Sequence, residues 1–271
     1  MRPVIVRAWY LNLDRDAERR DAMEATLAAA GLAFERFPAL TPETAPEEIL
    51  ARFRRPGVLS PGEIGCFASH LAVLGRIEGA APGWYAVFED DVAPTEDLAA
   101  VVRALPRLPA GVEVVRLENP PKCGSLLVAA GEGARFLRPL DIPNSSAGYL
   151  VRPEGARAIR AAAREVDIAY DQFLGAIARG RVDMVIAAPA PIRHLDLVSA
   201  IDPAGARRRG PRRRYSFAGS GPAPARLLRW IGRFGPLGFA RVVLATWAMR
   251  LARVKIDREG AYVVGRGRAA A

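Results

Sequence analysis

Trp84-Tyr85-Ala86-Val87-Phe88-Glu89-Asp90-Asp91 is the stretch whose reading decides the fold. Pro82-Gly83 breaks the chain ahead of it, and a short apolar run of this kind after such a break is a buried strand. The strand ends abruptly in three acids. Ligands of open α/β sheets collect at the carboxyl ends of strands, and clustered carboxylates there suit a hard divalent cation that would neutralise a diphosphate. A solvated acidic turn is the plain alternative.

Outward from this stretch, strands and helices alternate in both directions. Upstream, Val4 to Leu13 reads as a strand, Asp14 to Asp16 as a break, Ala17 to Ala30 as a helix closed by Gly31, and Phe34 to Leu40 as a second strand. Ser60-Pro61-Gly62-Glu63 combines a capping serine, proline at the first helical position and glutamate at the third, which starts a helix over Pro61 to Glu78. Downstream, Thr95 to Leu105, Pro153 to Arg164 and Ile168 to Ala178 read as helices; Val112 to Leu117, Ala147 to Val151 and Val182 to Ala187 read as strands. This alternation predicts an α/β sheet covered by helices.

The composition agrees. The 271 residues are 51% hydrophobic and 25% charged, which excludes a disordered or fibrous chain. Two cysteines, Cys66 and Cys123, are too few for a disulfide framework, and the N-terminal residues lack the apolar centre of a signal peptide, so the expected location is the cytoplasm. The net charge of +10 is unevenly spread: residues 1–202 hold 23 basic and 27 acidic side chains, residues 203–271 hold 16 and 2. A body over 1–202 is therefore expected, followed by a basic, Gly/Pro-rich linker over 203–225 and an amphipathic helical tail over 226–271. Arg226, Arg229 and Arg233 share one helical face, opposite Leu227, Trp230, Ile231 and Phe234. Arg241, Arg250 and Arg253 interrupt the next apolar stretch, which falls short of the about 20 residues that span a bilayer. Residues 207–254 are thus expected to lie on an anionic membrane surface, making the protein peripheral on the inner face of the cell membrane.

Other residues carry weaker signals. His70 lies one turn after Cys66 on the capped helix, a pair open to reading as a thiol-imidazole dyad, as two zinc ligands, or as a satisfied buried histidine; two ligands are too few for zinc. His194 follows Pro189-Ala190-Pro191 and reads equally as a crevice residue or a loop histidine. Arg15, Arg19 and Arg20 follow the first strand, where guanidinium groups can fork onto phosphate or form a solvated helix face. Asp171 stands in the first turn of a helix, where the dipole favours an acid on structural grounds alone.

Taken together, Tyr10-Leu11-Asn12-Leu13-Asp14-Arg15 with Glu18-Arg19-Arg20, Ser60 to Cys66 with Ser69-His70, and Phe88 to Val92 resemble glycosyltransferase family 25, the lipooligosaccharide galactosyltransferases and their collagen-modifying relatives. Gly148-Tyr149-Leu150, Gly155-Ala156 and Tyr170-Asp171-Gln172 extend the resemblance, which spans about residues 4–201. It implies a GT-A-like nucleotide-sugar-binding domain with a mixed, mainly parallel sheet. It further implies inverting transfer of a hexose, galactose from UDP-galactose above all, onto a sugar hydroxyl of a lipopolysaccharide, lipooligosaccharide or other surface glycan. By the same resemblance Asp171 is the base, and Asn12, Arg15, Arg19, Ser69, His70, Glu89 and Asp90 hold or support the donor. Asp91, Glu89 and His194 would hold a divalent cation, manganese or else magnesium. The segment around Lys122-Cys123 and Asn144-Ser145-Ser146 matches only loosely, so the acceptor is less defined than the donor. Two other readings compete: a non-catalytic carbohydrate-recognition module, and a nucleic-acid binder acting through the arginine runs, where only Tyr215 and Phe217 offer stacking. The acidic body speaks against nucleic acid as a partner.

Overall fold

The structure, a computed structural model, describes residues 5–54, 57–118, 123–140, 142–178, 180–195, 228, 231–232, 234–251, 254–256 and 262–264. Side-chain alternation along β1 (Ile5–Asn12) and β3 (Trp84–Glu89) sets its layers. Trp9 and Leu11 share one core with Tyr85 and Val87, whereas Ala8 and Tyr10 share the other with Ala86 and Phe88. A strand that buries both faces needs helices on both, and it has them. The first core takes side chains from α3 (Pro61–Glu78), α5 (Pro153–Ala162) and α6 (Tyr170–Ile177); the second takes them from α1 (Ala17–Ala29) and α4 (Asp97–Ala104). A short α2 (Glu47–Leu50) adds Ile49 to the first core.

The sheet has eight strands in the order β2-β1-β3-β8-β5-β9-β7-β6, where β2 is Phe34–Pro38, β5 Val114–Arg116, β6 Ser125–Gly131, β7 Ala134–Pro139, β8 Gly148–Val151 and β9 Met184–Ala188. Only β8 and β7 run against the rest, so the sheet is mixed and mainly parallel, as expected. The reversed β8 joins the β2-β1-β3 half to the β5-β9 half. Beside the sheet, β4 (Val92–Pro94) and β10 (Ile192–His194) form an antiparallel ribbon that sets His194 opposite Val92.

The helix over Pro61–Glu78 forms with the bounds expected, and its capping box is complete in both directions: Glu63 N donates to Ser60 Oγ and Ser60 N donates to Glu63 Oε2. The β6–β7 hairpin, α2 and the β4–β10 ribbon lie beyond the sequence expectations. So does the small ladder of β11 (Val254–Ile256) with β12 (Tyr262–Val264), which follows the helical part of the stretch 226–271. Residues 203–225, and most of the amphipathic stretch 226–234, lie outside the described residues. The apolar stretch after it forms α7 (Pro236–Leu251), which packs on β6. Gly124 N donates to Thr246 Oγ1 at 2.9 Å, and a Cβ on Gly124 would stand 2.3 Å from the Val242 carbonyl oxygen, so only glycine permits this approach. Val242 and Thr246 are buried while Leu237, Leu244 and Trp247, on the opposite face, are exposed. Among the described residues no helix is long and apolar enough to cross a membrane.

Candidate functional site

Because β1 and β3 are parallel neighbours with Leu11 in register with Glu89, their carboxyl ends deliver Asn12 and Asp90 side by side. Asn12 Nδ2 donates to Asp90 Oδ2 at 2.7 Å, and Arg19, one turn into α1, pairs with Asp90 Oδ1 at 2.9 Å and lies 3.8 Å from Asp91 Oδ2. A cleft of about 480 Å³ opens over these residues. Its walls come from the β1–α1 turn with Arg15, Asp16 and Arg19, the segment after β2, and the start of α3 with Cys66 and Ser69. Glu89, Asp90 and Asp91 complete it.

Strand parity separates the three acids. Glu89 continues the Tyr85-Val87 face and so turns toward α3, where its Oε1 accepts from Ser146 Oγ at 2.5 Å and lies 3.3 Å from His70 Nε2. Burial pushes the Glu89 carboxyl up, but the hydrogen bond and charge of His70 and the bond from Ser146 outweigh it and hold the group below its ordinary range. Asp90 is raised by burial, opposed by Asn12 and Arg19. Asp91 is raised to about 6, by burial and then by the charge of Glu89. Among the described residues its Oδ1 is buried without a hydrogen-bond partner, as are Asp16 Oδ2 and Arg19 Nε. Unpartnered carboxylate oxygen in a cleft beside two further carboxylates is the donor chemistry of a hard cation, so these residues fit one.

The other expected residues fall at different depths. Arg15 lines the cleft and is largely exposed; Arg19 is mostly covered. Ser69 lines it too, but its hydroxyl is committed to backbone, donating to Gly65 O and accepting from Leu40 N, both at 2.7 Å. His70 is fully buried behind Glu89, stacked on Tyr170 at 4.1 Å with Nδ1 3.0 Å from Tyr149 OH. Asp171, in the first turn of α6, is not among the lining residues, although its charge reaches Cys66, which is. His194 stands next to the acids through the ribbon, where Leu195 N donates to Asp91 O at 2.7 Å. Its Nε2 is engaged by Glu118 Oε2 at 2.9 Å, and that hydrogen bond raises its pKa. Glu118 has no part in the sequence reading, and Ser146 and Tyr149 enter it only within quoted stretches, without a role in the site. An acid just past β5 repeats the signal of the acids after β3 and was there to be read; the other two are joined to the site only by β8.

The family model of glycosyltransferase family 25 (LPS biosynthesis protein) matches residues 7–120. Over these residues, fewer than half of the chain, the protein is similar to glycosyltransferase family 25. The matched stretch contains all but the first two residues of β1, all of α1, α3 and β3, and every residue that lines the cleft, Leu11 to Asp91; Asp171 and His194 lie beyond it. No curated protein matches the chain significantly.

Proposed function

We propose that this glycosyltransferase moves a hexose, galactose from UDP-galactose, with inversion onto a sugar hydroxyl of a lipopolysaccharide or lipooligosaccharide acceptor. The observation that carries the reading is the cleft at the carboxyl ends of β1 and β3, where three carboxylates meet the guanidinium groups of Arg15 and Arg19. Asp91, with Asp90 or Glu89, would hold manganese or magnesium, with His194 nearby. Such a cation supplies charge neutralisation for the diphosphate of the donor and of the leaving UDP. Arg15, largely exposed at the cleft, is suited to fork onto phosphate, while Asn12 and Arg19 hold Asp90 in place. Asp171 is the proposed base, accepting the proton of the acceptor hydroxyl as that oxygen attacks the anomeric carbon.

Calorimetric titration with UDP-galactose and UDP-glucose, with and without manganese, tests the donor. Manganese-dependent binding that is lost in Asp91→Ala is the expected result; absence of binding by the folded protein refutes it. For the base, Asp171→Asn should lower kcat on the order of 10²-fold or more while leaving donor affinity within a factor of two or so.

We further propose that the tail rests on an anionic leaflet. The support is the 16 to 2 excess of basic side chains in residues 203–271 together with the exposed Leu237, Leu244 and Trp247 on the face of α7 turned away from β6. Trp247→Ser with Leu244→Ser should weaken sedimentation with phosphatidylglycerol vesicles while leaving the fold intact; unchanged sedimentation refutes it.

A further inference from the structure

We propose that Cys66, His70 and Glu89 form a site for a thiophilic divalent cation, Zn2+ by its chemistry, at the inner wall of the cleft. Cys66 and His70 are one turn apart on α3, and β3 presents Glu89 to them; one ligand atom from each lies within 4.8 Å of the others. A sulfur, an imidazole nitrogen and a carboxylate oxygen make a set that zinc takes readily and that magnesium, calcium and manganese, which favour oxygen, do not. Glu89 is the third ligand that the Cys66–His70 pair lacks when read from spacing alone. Cys66 and Glu89 both line the cleft, which gives an ion its way in from solvent.

The surroundings are those of a ligating imidazole, whose second nitrogen is held by a hydrogen-bond partner. His70 Nδ1 lies 3.0 Å from Tyr149 OH, which lies 3.2 Å from Tyr170 OH, and either hydroxyl of that pair can donate. With its proton on Nδ1, His70 donates to the Tyr149 hydroxyl oxygen, Tyr149 donates on to Tyr170, and the Nε2 lone pair is left to the ion. Stacking on Tyr170 fixes the ring, and Ser146 fixes the carboxylate. When the ion binds, a sulfur–metal bond replaces the S–H bond and the proton leaves to solvent; nothing is oxidised or reduced. The site differs in donor chemistry from the hard-cation assignment, which centres on the unpartnered oxygen of Asp91; with Glu89 committed to the sulfur–imidazole set, Asp90 is the partner left to Asp91 there.

Cobalt titration of the purified full-length chain, without nucleotide sugar, tests the site through the thiolate-to-cobalt charge-transfer absorption. The expected result is a band that saturates at one equivalent, is displaced by one equivalent of zinc and not by magnesium, is lost in Cys66→Ser and persists in Cys123→Ser. No band in the native protein, or a band that survives Cys66→Ser, overturns the proposal. Since Cys66→Ser changes one atom, circular dichroism of the variant separates loss of the ligand from loss of the fold. The readout involves no donor or acceptor, so a failure here leaves the transferase reading standing, and a failure to bind UDP-sugars leaves this one standing.

Discussion

Asp91 offers the sharpest quantitative test, because its carboxyl titrates near 6 in the folded protein against an ordinary 3.8. Between those values the folded protein holds a proton that the unfolded chain has released, so stability falls as pH rises through this window and stays reduced above it. A displacement of about two pKa units corresponds to about 3 kcal/mol, and because the side chain is 30% exposed we take about 2 kcal/mol as realised. Asp91→Asn removes the buried charge and keeps the shape. In chelator-treated protein the variant should therefore be the more stable by about 2 kcal/mol at pH 8, on the order of 4–8 °C in melting temperature, with the advantage gone near pH 4. Urea denaturation at pH 4.5, 6 and 8 measures it. An advantage that is absent at pH 8, or as large at pH 4.5 as at pH 8, would refute the reasoning.

Manganese should reverse that order, since a cation on Asp91 stabilises only the wild type, by about 2.7 kcal/mol at a hundredfold excess over Kd; equal thermal shifts in both proteins would remove Asp91 from the ligand set. Gly65→Ala should cost about 1–3 kcal/mol in denaturant melts, because the new Cβ would meet the Leu40 carbonyl oxygen at 2.5 Å, a backbone atom that cannot step aside. Ser60→Ala should cost about 1 kcal/mol by the same measurement, through loss of the capping box at the head of α3. The His194–Glu118 bond raises the histidine pKa, so its stabilisation is complete below the ordinary 6.5 and is lost as pH rises through the raised value; His194→Gln should flatten the urea-midpoint profile between pH 6 and 9.

Local chemistry made part of this molecule legible from sequence. Ser60-Pro61-Gly62-Glu63 contains both halves of a reciprocal cap, and the helix it starts runs as read. The β6–β7 hairpin escaped because its two-residue turn puts Glu132 at φ 56° before Gly133 at φ 84°, a conformation usually announced by Asn or Asp in place of Glu. Within the site, the clustering of the acids after β3 was legible, and so was the nearness of the β1–α1 turn. The division of labour among the acids was not, since it depends on Glu89 sharing the pleat of Tyr85 and Val87 and on Ser146 and Tyr149 arriving from the far side of the family 25 stretch. The arginines behaved individually: Arg19 is tied to Asp90, while Arg15 is left largely in water.

The reversed strand β8 also governs the order in which the chain can be completed. Its residues 148–151 fill the gap between β3 and β5, so until they leave the ribosome β3 presents Ala86, Val87 and Phe88 along an open edge. A fragment cut at the end of the family 25 stretch, residue 120, would keep every lining residue of the cleft and yet carry a bare, sticky strand at its centre. Nascent chains of this length expose an apolar strand edge that is open to aggregation, and expression fragments meant to isolate the cleft need to extend past Val151.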